Sequence, residues 1–172
     1  FTVAKWVDDM LAAGHNTFYK VENGKRLYYD IAGKTYKNLP GGDTFLVMKY
    51  FTNQTIWKNS SSRVYHLGDD VLGLEWNTKM NSIGGEVLES IQKGISLAEE
   101  KYKGLVIANE SANFSAGANI GMIFMLAIEQ DYDEIDMAIR MFQNPMMRVP
   151  YSSIPEVIAP HGFVLGGGCE TC

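Results

Sequence analysis

From Val64 to Cys172, short apolar runs alternate with longer segments of helical periodicity. The runs 64–67 and 71–76 flank Gly68-Asp69-Asp70, a turn signal that is typical of an antiparallel hairpin. The elements predicted after this hairpin are a helix at 85–102, a strand at 105–108, helical segments at 120–130 and 135–146, and a strand at 157–159. This order, ββαβα(α)β, predicts an α/β fold.

The two later helical segments carry further signals. Residues 120–128 are apolar apart from Gly121, but a membrane helix needs about 20 such residues, so we expect a buried helix instead. Six of the nine methionines lie between Met122 and Met147, and we expect them in the hydrophobic core, although methionine also suits the wall of a pocket for a flexible chain. Asn144-Pro145 is expected to end or kink the 135–146 helix early.

The residues before Val64 follow a different pattern. An amphipathic helix is predicted at Val3–Ala13, followed by a β-hairpin at 17–30 with a turn at Asn23-Gly24. A short apolar element is predicted at Phe45–Phe51, and the run from Lys58 to Ser62 has the polar composition of a linker. We therefore predict two domains, residues 1–58 and residues 59–172.

Charge and cysteine content argue against several classes of function. The net charge of −5 is unlike that of a nucleic-acid-binding surface, which needs clustered Lys and Arg. Cys169 and Cys172 have the spacing of a redox pair or of half a zinc site, but zinc takes four ligands and no second pair exists, so no metal is expected. Because the chain has neither an initiator Met nor a signal peptide, we predict a cytoplasmic piece of a longer polypeptide.

Two glycine-rich loops each follow a short apolar strand and precede residues that can begin a helix: 115–119 and 162–168. Glycine lets the backbone approach a ligand closely, and the first turn of a helix has N–H groups without an internal partner. Such loops bind anions or polarised oxygens, but they are equally consistent with tight turns between a strand and a helix. Neither loop matches a P-loop or a dinucleotide-binding motif.

Three segments carry a resemblance to a known family. The run Asn-Phe-Ser-Ala-Gly-Ala-Asn-Ile at 113–120 resembles the first oxyanion-hole motif of the enoyl-CoA hydratase (crotonase) superfamily, and Gly-Phe-Val-Leu-Gly-Gly-Gly-Cys-Glu at 162–170 resembles the second. Thr-Lys-Met-Asn-Ser-Ile at 78–83 resembles the family's Lys-x-Asn-Ala-Leu region. The resemblance covers roughly residues 62–172 and implies an incomplete crotonase-like ββα spiral preceded by a small helix-plus-hairpin segment.

The first 58 residues resemble the tail of a 3-hydroxyacyl-CoA dehydrogenase helical domain, as in bacterial β-oxidation proteins in which dehydrogenase precedes hydratase. This resemblance implies a parent protein that hydrates trans-2-enoyl-CoA and oxidises the product with NAD. For the chain itself it implies no cofactor, since acyl-CoA is the substrate and NAD belongs to the dehydrogenase part.

The crotonase resemblance also implies roles for individual residues. The backbone N–H groups of Ala118 and Gly167 would bind the thioester oxygen of an acyl-CoA. The backbone at Ser82 and Ala116 would face the adenine, and Lys79 would reach a CoA phosphate, although a single Lys in a loop is usually only solvated.

Glu170 occupies the position of one of the two catalytic glutamates of the hydratases, where a carboxylate positions water and transfers a proton. The second glutamate of the family lies further along the chain than Cys172, so the chain alone is expected to be inactive and to expose an apolar face that promotes self-association. Two alternatives stay open: an enoyl-CoA isomerase or thioester hydrolase of the same superfamily, and a non-catalytic module that docks acyl-CoA or a partner subunit.

This sequence departs from the family pattern at two positions. Asn119 stands where the family usually has Asp, which removes a charge but keeps a hydrogen-bonding side chain. His161 follows Pro160 where many relatives have a small residue and Asn, and we expect it to be structural, because the resemblance supplies Glu170 as the catalytic group.

Overall fold

The computed structural model describes residues 2–42, 44 and 46–172, and only the backbone of Met122. Two compact units divide the chain, Phe1–Asn53 and Gln54–Cys172. No helix within the described ranges is long and apolar enough to span a membrane.

The first unit combines one helix with a three-stranded antiparallel sheet. Asn23 and Gly24 both have positive φ, 51° and 73°, as a two-residue hairpin turn of the predicted kind requires. The predicted hairpin is therefore present, but a third strand extends it. This strand was not predicted from the sequence because it has only four residues and Tyr36 is its one large apolar side chain. The elements are α1 (Lys5–Ala12), β1 (Tyr19–Glu22), β2 (Lys25–Asp30), β3 (Thr35–Asn38) and a 3-10 helix at Met48–Gln54. Phe45, where the predicted apolar element begins, lies outside the described residues.

The second unit is built on a five-stranded mixed sheet, in which β4, β5 and β6 are antiparallel and β6, β7 and β8 are parallel. Its strands are β4 (Thr55–Lys58), β5 (Ser62–Gly68), β6 (Val71–Trp76), β7 (Gly104–Ile107) and β8 (Glu156–Ile158). Its helices are a 3-10 helix at Lys79–Asn81, α2 (Gly85–Lys101), α3 (Ile120–Glu129), α4 (Tyr132–Arg148) and α5 (Gly167–Glu170). The predicted ββαβα(α)β order is confirmed.

The core of the second unit lies between α2 and the sheet. Val87, Ile91 and Ile95 follow one face of α2 at spacings of four residues and are fully buried. They join the buried strand residues Leu72, Leu74, Leu105 and Ile107 in one cluster. Burying each such side chain contributes about 1.5–3 kcal/mol, so this interface holds the parallel strands in place.

The prediction of a linker from Lys58 to Ser62 is wrong. Thr55–Lys58 is the edge strand β4, and the Asn59 side-chain oxygen accepts hydrogen bonds from the N–H groups of Ser61 (3.0 Å) and Ser62 (2.8 Å). Asn closes turns in this way, so a polar run that looks like a flexible linker is the turn between β4 and β5. β4, assigned from the sequence to the first domain, therefore pairs within the second unit.

The apolar segment 120–130 is a helix, as predicted, but it is not buried. The exposed fractions of Ile120, Phe124 and Ile128 on α3 are 78%, 64% and 60%. Among the described elements α3 packs chiefly against α4, so much of its apolar surface has no neighbour. The expectation that the methionines of this region lie in the core is also wrong for most of them. Met146 is buried, whereas Met125, Met137, Met141 and Met147 are exposed.

Pro145 does not end α4 early. The helix continues to Arg148, and the Val149 N–H donates to the Pro145 carbonyl at 3.3 Å. Pro145 and Met146 are buried, and Arg148 Nη2 lies 2.9 Å from Glu99 Oε2 of α2. These tertiary contacts offset the hydrogen bond that proline removes from a helix.

Candidate functional site

Two loops meet where the parallel strands β7 and β8 end. The first loop (108–119) follows β7 and the second loop (159–166) follows β8, and parallel strands deliver their following loops to the same edge of the sheet. The loops are joined by backbone hydrogen bonds. Ser115 N–H donates to Phe163 O at 3.2 Å, and Leu165 N–H donates to Ser115 O at 3.0 Å.

The packing of these loops leaves no room for a side chain at Gly117 or at Gly168. Gly117 has φ +90°, and a Cβ built on it would lie 2.7 Å from the Leu165 carbonyl oxygen. A Cβ on Gly168 would lie 2.7 Å from Ser115 Cβ. Both distances are below van der Waals contact, so the close approach of the two backbones requires glycine at these positions.

The N–H groups of Ala118 and Gly167 are unpaired in the described part of the chain. The Gly117 carbonyl accepts a hydrogen bond from Ile83 N–H at 2.9 Å, and in a planar trans peptide the next N–H points the opposite way. By the same geometry, the Gly166 carbonyl accepts from Cys169 N–H at 2.8 Å, so the Gly167 N–H points away from α5. Each donor direction is thus set by a hydrogen bond on the opposite side of its own peptide.

The two donors are also close to each other. A Cβ on Gly167 would lie 3.3 Å from the Ala118 nitrogen, and a Cβ on Gly117 would lie 3.2 Å from the Gly167 nitrogen. Both residues line a cavity of about 930 Å³. Two backbone N–H groups without a partner among the described residues therefore belong to neighbouring residues in the wall of one cavity.

The rest of this cavity is mainly apolar, with Ile83, Leu88, Ile123 and Phe142 in its wall. Glu170, on α5, is exposed and lines the same cavity. Among the described lining residues it is the one that carries a carboxylate. The cavity wall therefore combines the backbone of Ala118 and Gly167, apolar side chains and one acidic group.

The other predicted contact residues are placed differently. Ala116 donates its N–H to Met80 O at 3.1 Å and lines both this cavity and a neighbouring one of about 230 Å³. Ser82 is half-buried, and its carbonyl accepts a hydrogen bond from the Thr78 hydroxyl at 2.6 Å. Lys79 is exposed. Of these three residues, the structure brings Ala116 to the cavity walls, whereas Ser82 and Lys79 line neither of the two cavities.

Two buried polar residues behind the loops were not identified from the sequence. Asn81 donates from Nδ2 to Asn113 O at 3.1 Å, and the Ser115 hydroxyl donates to Asn81 O at 2.7 Å. Met80 and Asn81 both have positive φ, 56° and 51°, which is uncommon outside glycine. The sequence feature that could have indicated this role is Ser115 itself, a small polar residue among the apolar or small residues at 114–118.

His161 and the two cysteines occupy peripheral positions. The His161 ring nitrogen Nε2 lies 2.7 Å from Ser111 O, so the side chain connects the second loop to the first. Cys169 and Cys172 are free and exposed. Within the residues that the structure describes, no group of three or more His, Cys, Asp or Glu is placed to hold a metal ion.

A second carboxylate, Glu156 on β8, lies in the wall of a different cavity of about 1020 Å³, which Glu170 also lines. Both Glu156 oxygens are buried and have no hydrogen-bond partner among the described residues, because the nearby Ser152 hydroxyl donates to Ile154 O at 2.8 Å instead. Burial raises the pKa of Glu156, and the Glu99 carboxylate raises it further. The protonated form of Glu156 is therefore favoured relative to an exposed glutamate.

Comparison with known proteins identifies relatives of this chain. No family model matches it. It is 41% identical over 169 residues to a protein of Bacillus subtilis (strain 168) named "Probable 3-hydroxyacyl-CoA dehydrogenase", a match that covers 97% of this chain and 21% of that protein. It is 25% identical over 125 residues to a "Fatty acid oxidation complex subunit alpha" of Psychrobacter cryohalolentis, covering 67% of this chain and 17% of that protein. The chain thus spans about a fifth of the length of each of these two relatives.

The solved structures show the fold. The crystal structure of an enoyl-CoA hydratase from Bacillus anthracis superposes with a TM-score of 0.56 at 23% identity, covering 65% of this chain and 44% of that one. About two-thirds of the chain therefore has the crotonase fold of the enoyl-CoA hydratases, and along nearly its whole length the chain is similar to a bacterial protein named as a 3-hydroxyacyl-CoA dehydrogenase.

Proposed function

We propose that this chain binds the thioester oxygen of an acyl-CoA between the backbone N–H groups of Ala118 and Gly167, as part of a fatty-acid-oxidation enzyme that hydrates trans-2-enoyl-CoA. One observation carries the proposal: the backbone N–H groups of two neighbouring residues in the wall of one largely apolar cavity have no partner among the described residues. Gly167 is buried and Ala118 is half-buried, and an unpaired donor that is shielded from water costs free energy, so the site is suited to a ligand that supplies the acceptor.

Such donors contribute most when the thioester oxygen gains negative charge. Addition of water to the β-carbon of an enoyl thioester places charge on that oxygen, and each donor aimed at it contributes about 3–4 kcal/mol. The donors are main-chain groups fixed by the hydrogen bonds of Gly117 and Gly166, so little reorganisation is needed when the charge develops.

Glu170 supplies the carboxylate of the proposed mechanism. A carboxylate on the cavity wall can orient a water molecule and accept its proton as the oxygen attacks the β-carbon. A second carboxyl group, in its protonated form, would then deliver a proton to the α-carbon and become a carboxylate. The apolar wall near Phe142 would accommodate the acyl chain, and Ala116 borders both this cavity and the 230 Å³ cavity, through which the CoA moiety would leave. Contacts of the CoA moiety with Ser82 and Lys79 would then lie outside the two cavities.

Residues 1–58 belong, in this proposal, to the end of a dehydrogenase helical domain, and NAD would bind in the dehydrogenase part of the longer protein. The name of the Bacillus subtilis relative, which matches 97% of this chain, supports this part of the proposal. An isomerase or thioester hydrolase would use the same pair of N–H donors, and these reactions differ in the groups that transfer protons.

A binding measurement on the 172-residue chain tests the proposal. Crotonyl-CoA labelled with ¹³C at the thioester carbon should bind, and its carbonyl stretch should move to lower wavenumber than in water because two donors polarise the bond. S-butyl-CoA, a thioether without the carbonyl oxygen, is the matched control and should bind more weakly. Equal affinity for the two ligands, with an unshifted carbonyl stretch, would show that the N–H pair does not bind the oxygen.

A further inference from the structure

Ser115 makes an unusual set of contacts for a residue outside the cavity wall. Its side chain is fully buried, and its hydroxyl donates to Asn81 O at 2.7 Å while accepting from Gly117 N–H at 3.0 Å. Its backbone binds the second loop through Phe163 O and Leu165 N–H. Ser115 thus joins three segments that are distant in sequence: the 3-10 helix at Lys79–Asn81, the first loop and the second loop.

These contacts act on the two donors from behind. The hydrogen bond from Gly117 N–H to the Ser115 hydroxyl orients the peptide before Gly117, and the bond from Ile83 N–H orients the peptide after it, which carries the Ala118 N–H. A Cβ on Gly168 would lie 2.7 Å from Ser115 Cβ, so the Ser115 side chain occupies the space next to the backbone of Gly168, the residue after Gly167. One side chain therefore contacts the backbone next to both donors.

We propose that Ser115 is a positioning residue that sets the direction of the Ala118 N–H and its spacing from the Gly167 N–H. The inference rests on the proposed function, because it assigns a role within the same oxygen-binding site. Ser115 does not touch the ligand, since it is absent from the described residues that line the cavity. Its hydroxyl acts through Gly117, and its Cβ acts through Gly168.

Ser115→Ala removes both side-chain hydrogen bonds but keeps the Cβ. We expect the affinity for crotonyl-CoA to fall about tenfold, because the Gly117 N–H loses the hydrogen bond that orients its peptide. The shift of the carbonyl stretch should also become smaller. Ser115→Cys keeps a weak donor and acceptor of similar shape and should give an intermediate shift. Binding of S-butyl-CoA, which lacks the carbonyl, should stay within about twofold of wild type, a difference below about 0.5 kcal/mol.

Ser90 offers a matched control. It is also fully buried, and its hydroxyl donates to Val87 O at 2.7 Å within α2, away from the loops. Ser90→Ala loses a comparable buried hydrogen bond, so it reports the general effect on stability. It should leave the carbonyl stretch of bound crotonyl-CoA unchanged.

A second measurement needs no ligand. The backbone amide resonances of Ala118 and Gly167 should shift or broaden in Ser115→Ala and remain in place in Ser90→Ala. If Ser115→Ala leaves these amides unchanged, or leaves the carbonyl stretch of bound crotonyl-CoA as in wild type, the positioning role is overturned while the proposed function stands. If the wild-type chain shows no carbonyl shift, the proposed function fails, and the amide resonances alone decide the role of Ser115.

Discussion

At the level of single residues, Glu170 is the acidic group placed for the proposed reaction, because it lines the same cavity as Ala118 and Gly167. In a form of the protein that hydrates crotonyl-CoA, Glu170→Gln should keep the shape of the site but abolish proton transfer. We expect kcat to fall by about 10²–10⁴-fold with little change in affinity, as measured by the loss of enoyl absorbance.

The exposed Glu129 at the end of α3 provides the control for this change. Glu129→Gln alters the net charge equally, and its activity should stay within about threefold of wild type, a change below 1 kcal/mol. A Glu170→Gln variant that also stays within this range would show that Glu170 is neither acid nor base.

Glu156 makes stability depend on pH. Its pKa in the folded unit is raised by burial, so the folded state retains a proton that the unfolded chain has already lost. Stability contributed by the protonated carboxyl is therefore lost as the pH rises from about 4.5 through the raised folded pKa. Glu156→Gln should unfold at a temperature about 2–4 °C higher than wild type at pH 7, and this difference should disappear below pH 4.

Glu99 should show the opposite behaviour and serves as the comparison. A hydrogen bond from the Ser153 N–H lowers the pKa of Glu99, and a hydrogen bond from the Arg148 side chain lowers it to a smaller extent. The stability that ionised Glu99 contributes is therefore present above its pKa in the unfolded chain and is lost as the pH falls. Glu99→Gln should lower the unfolding temperature at pH 7. Thermal unfolding between pH 3 and pH 8 separates the two variants, and a destabilised Glu156→Gln at pH 7 would contradict the buried-acid interpretation.

The sequence shows the two glycine-rich loops in which the proposed main-chain donors lie, but not the groups behind them. Ala118 and Gly167 lie in glycine-rich motifs whose spacing is visible in the sequence. Ser115 and Asn81 escaped because the partners of their side chains are backbone carbonyls, which every residue offers, at separations of more than 30 residues. Nothing in the local pattern distinguishes these pairings from many others.

At the scale of elements, the glycines of α5 and α2 offer a direct comparison. A Cβ on Gly167 would lie 2.4 Å from the Phe142 ring and 3.3 Å from the Ala118 nitrogen, close to where the ligand oxygen would be. Gly167→Ala should fold, since the ring can rotate, but its affinity for crotonyl-CoA should fall at least tenfold by calorimetry, the equivalent of about 1.4 kcal/mol.

Gly94 of α2 is the control, because a Cβ there would make ordinary contacts of 3.6–3.8 Å with Leu74 and Leu105. Gly94→Ala should raise the free energy of unfolding by about 0.5–1 kcal/mol through the better helix propensity of alanine, and it should bind as wild type does. Wild-type affinity in Gly167→Ala would place the ligand oxygen elsewhere.

The helices also show which features of an element can be predicted from the sequence and which cannot. The bounds of α2 follow from its strong apolar periodicity, which predicts a helix at 85–102. The burial of α3 could not be predicted, because an apolar sequence does not specify whether a neighbouring element covers it. The turn at Asn59–Ser62 was mistaken for a linker, since only the side-chain hydrogen bonds of Asn59 distinguish the two.

At the scale of the whole molecule, α3 and α4 present an apolar surface that includes Phe124, Met125 and Ile128 of α3 and Met137 and Met141 of α4. Surfaces of this kind promote association in water. The 172-residue chain should therefore elute as a mixture of oligomers that depends on concentration, and it should increase the fluorescence of a dye that binds apolar surface.

Phe124→Glu combined with Ile128→Glu should shift the chain towards the monomer and reduce the dye signal, because charges would interrupt the surface. Val21→Glu, at an exposed apolar residue of β1, should change neither property. Light scattering that shows a monomeric wild type without dye binding would contradict the predicted association.

The hydrogen bonds that join the loops of the candidate site connect residues far apart along the chain: Ser115 is bonded to Asn81, 34 positions earlier, and Phe163 is bonded to Asn113, 50 positions earlier. Closing such long segments costs chain entropy, and this cost slows the formation of contacts between distant residues. The helix α2 can form from local contacts, whereas the paired N–H donors exist only once β7 and β8 lie side by side. During refolding, the ability to bind acyl-CoA should therefore return after most of the helical signal has recovered.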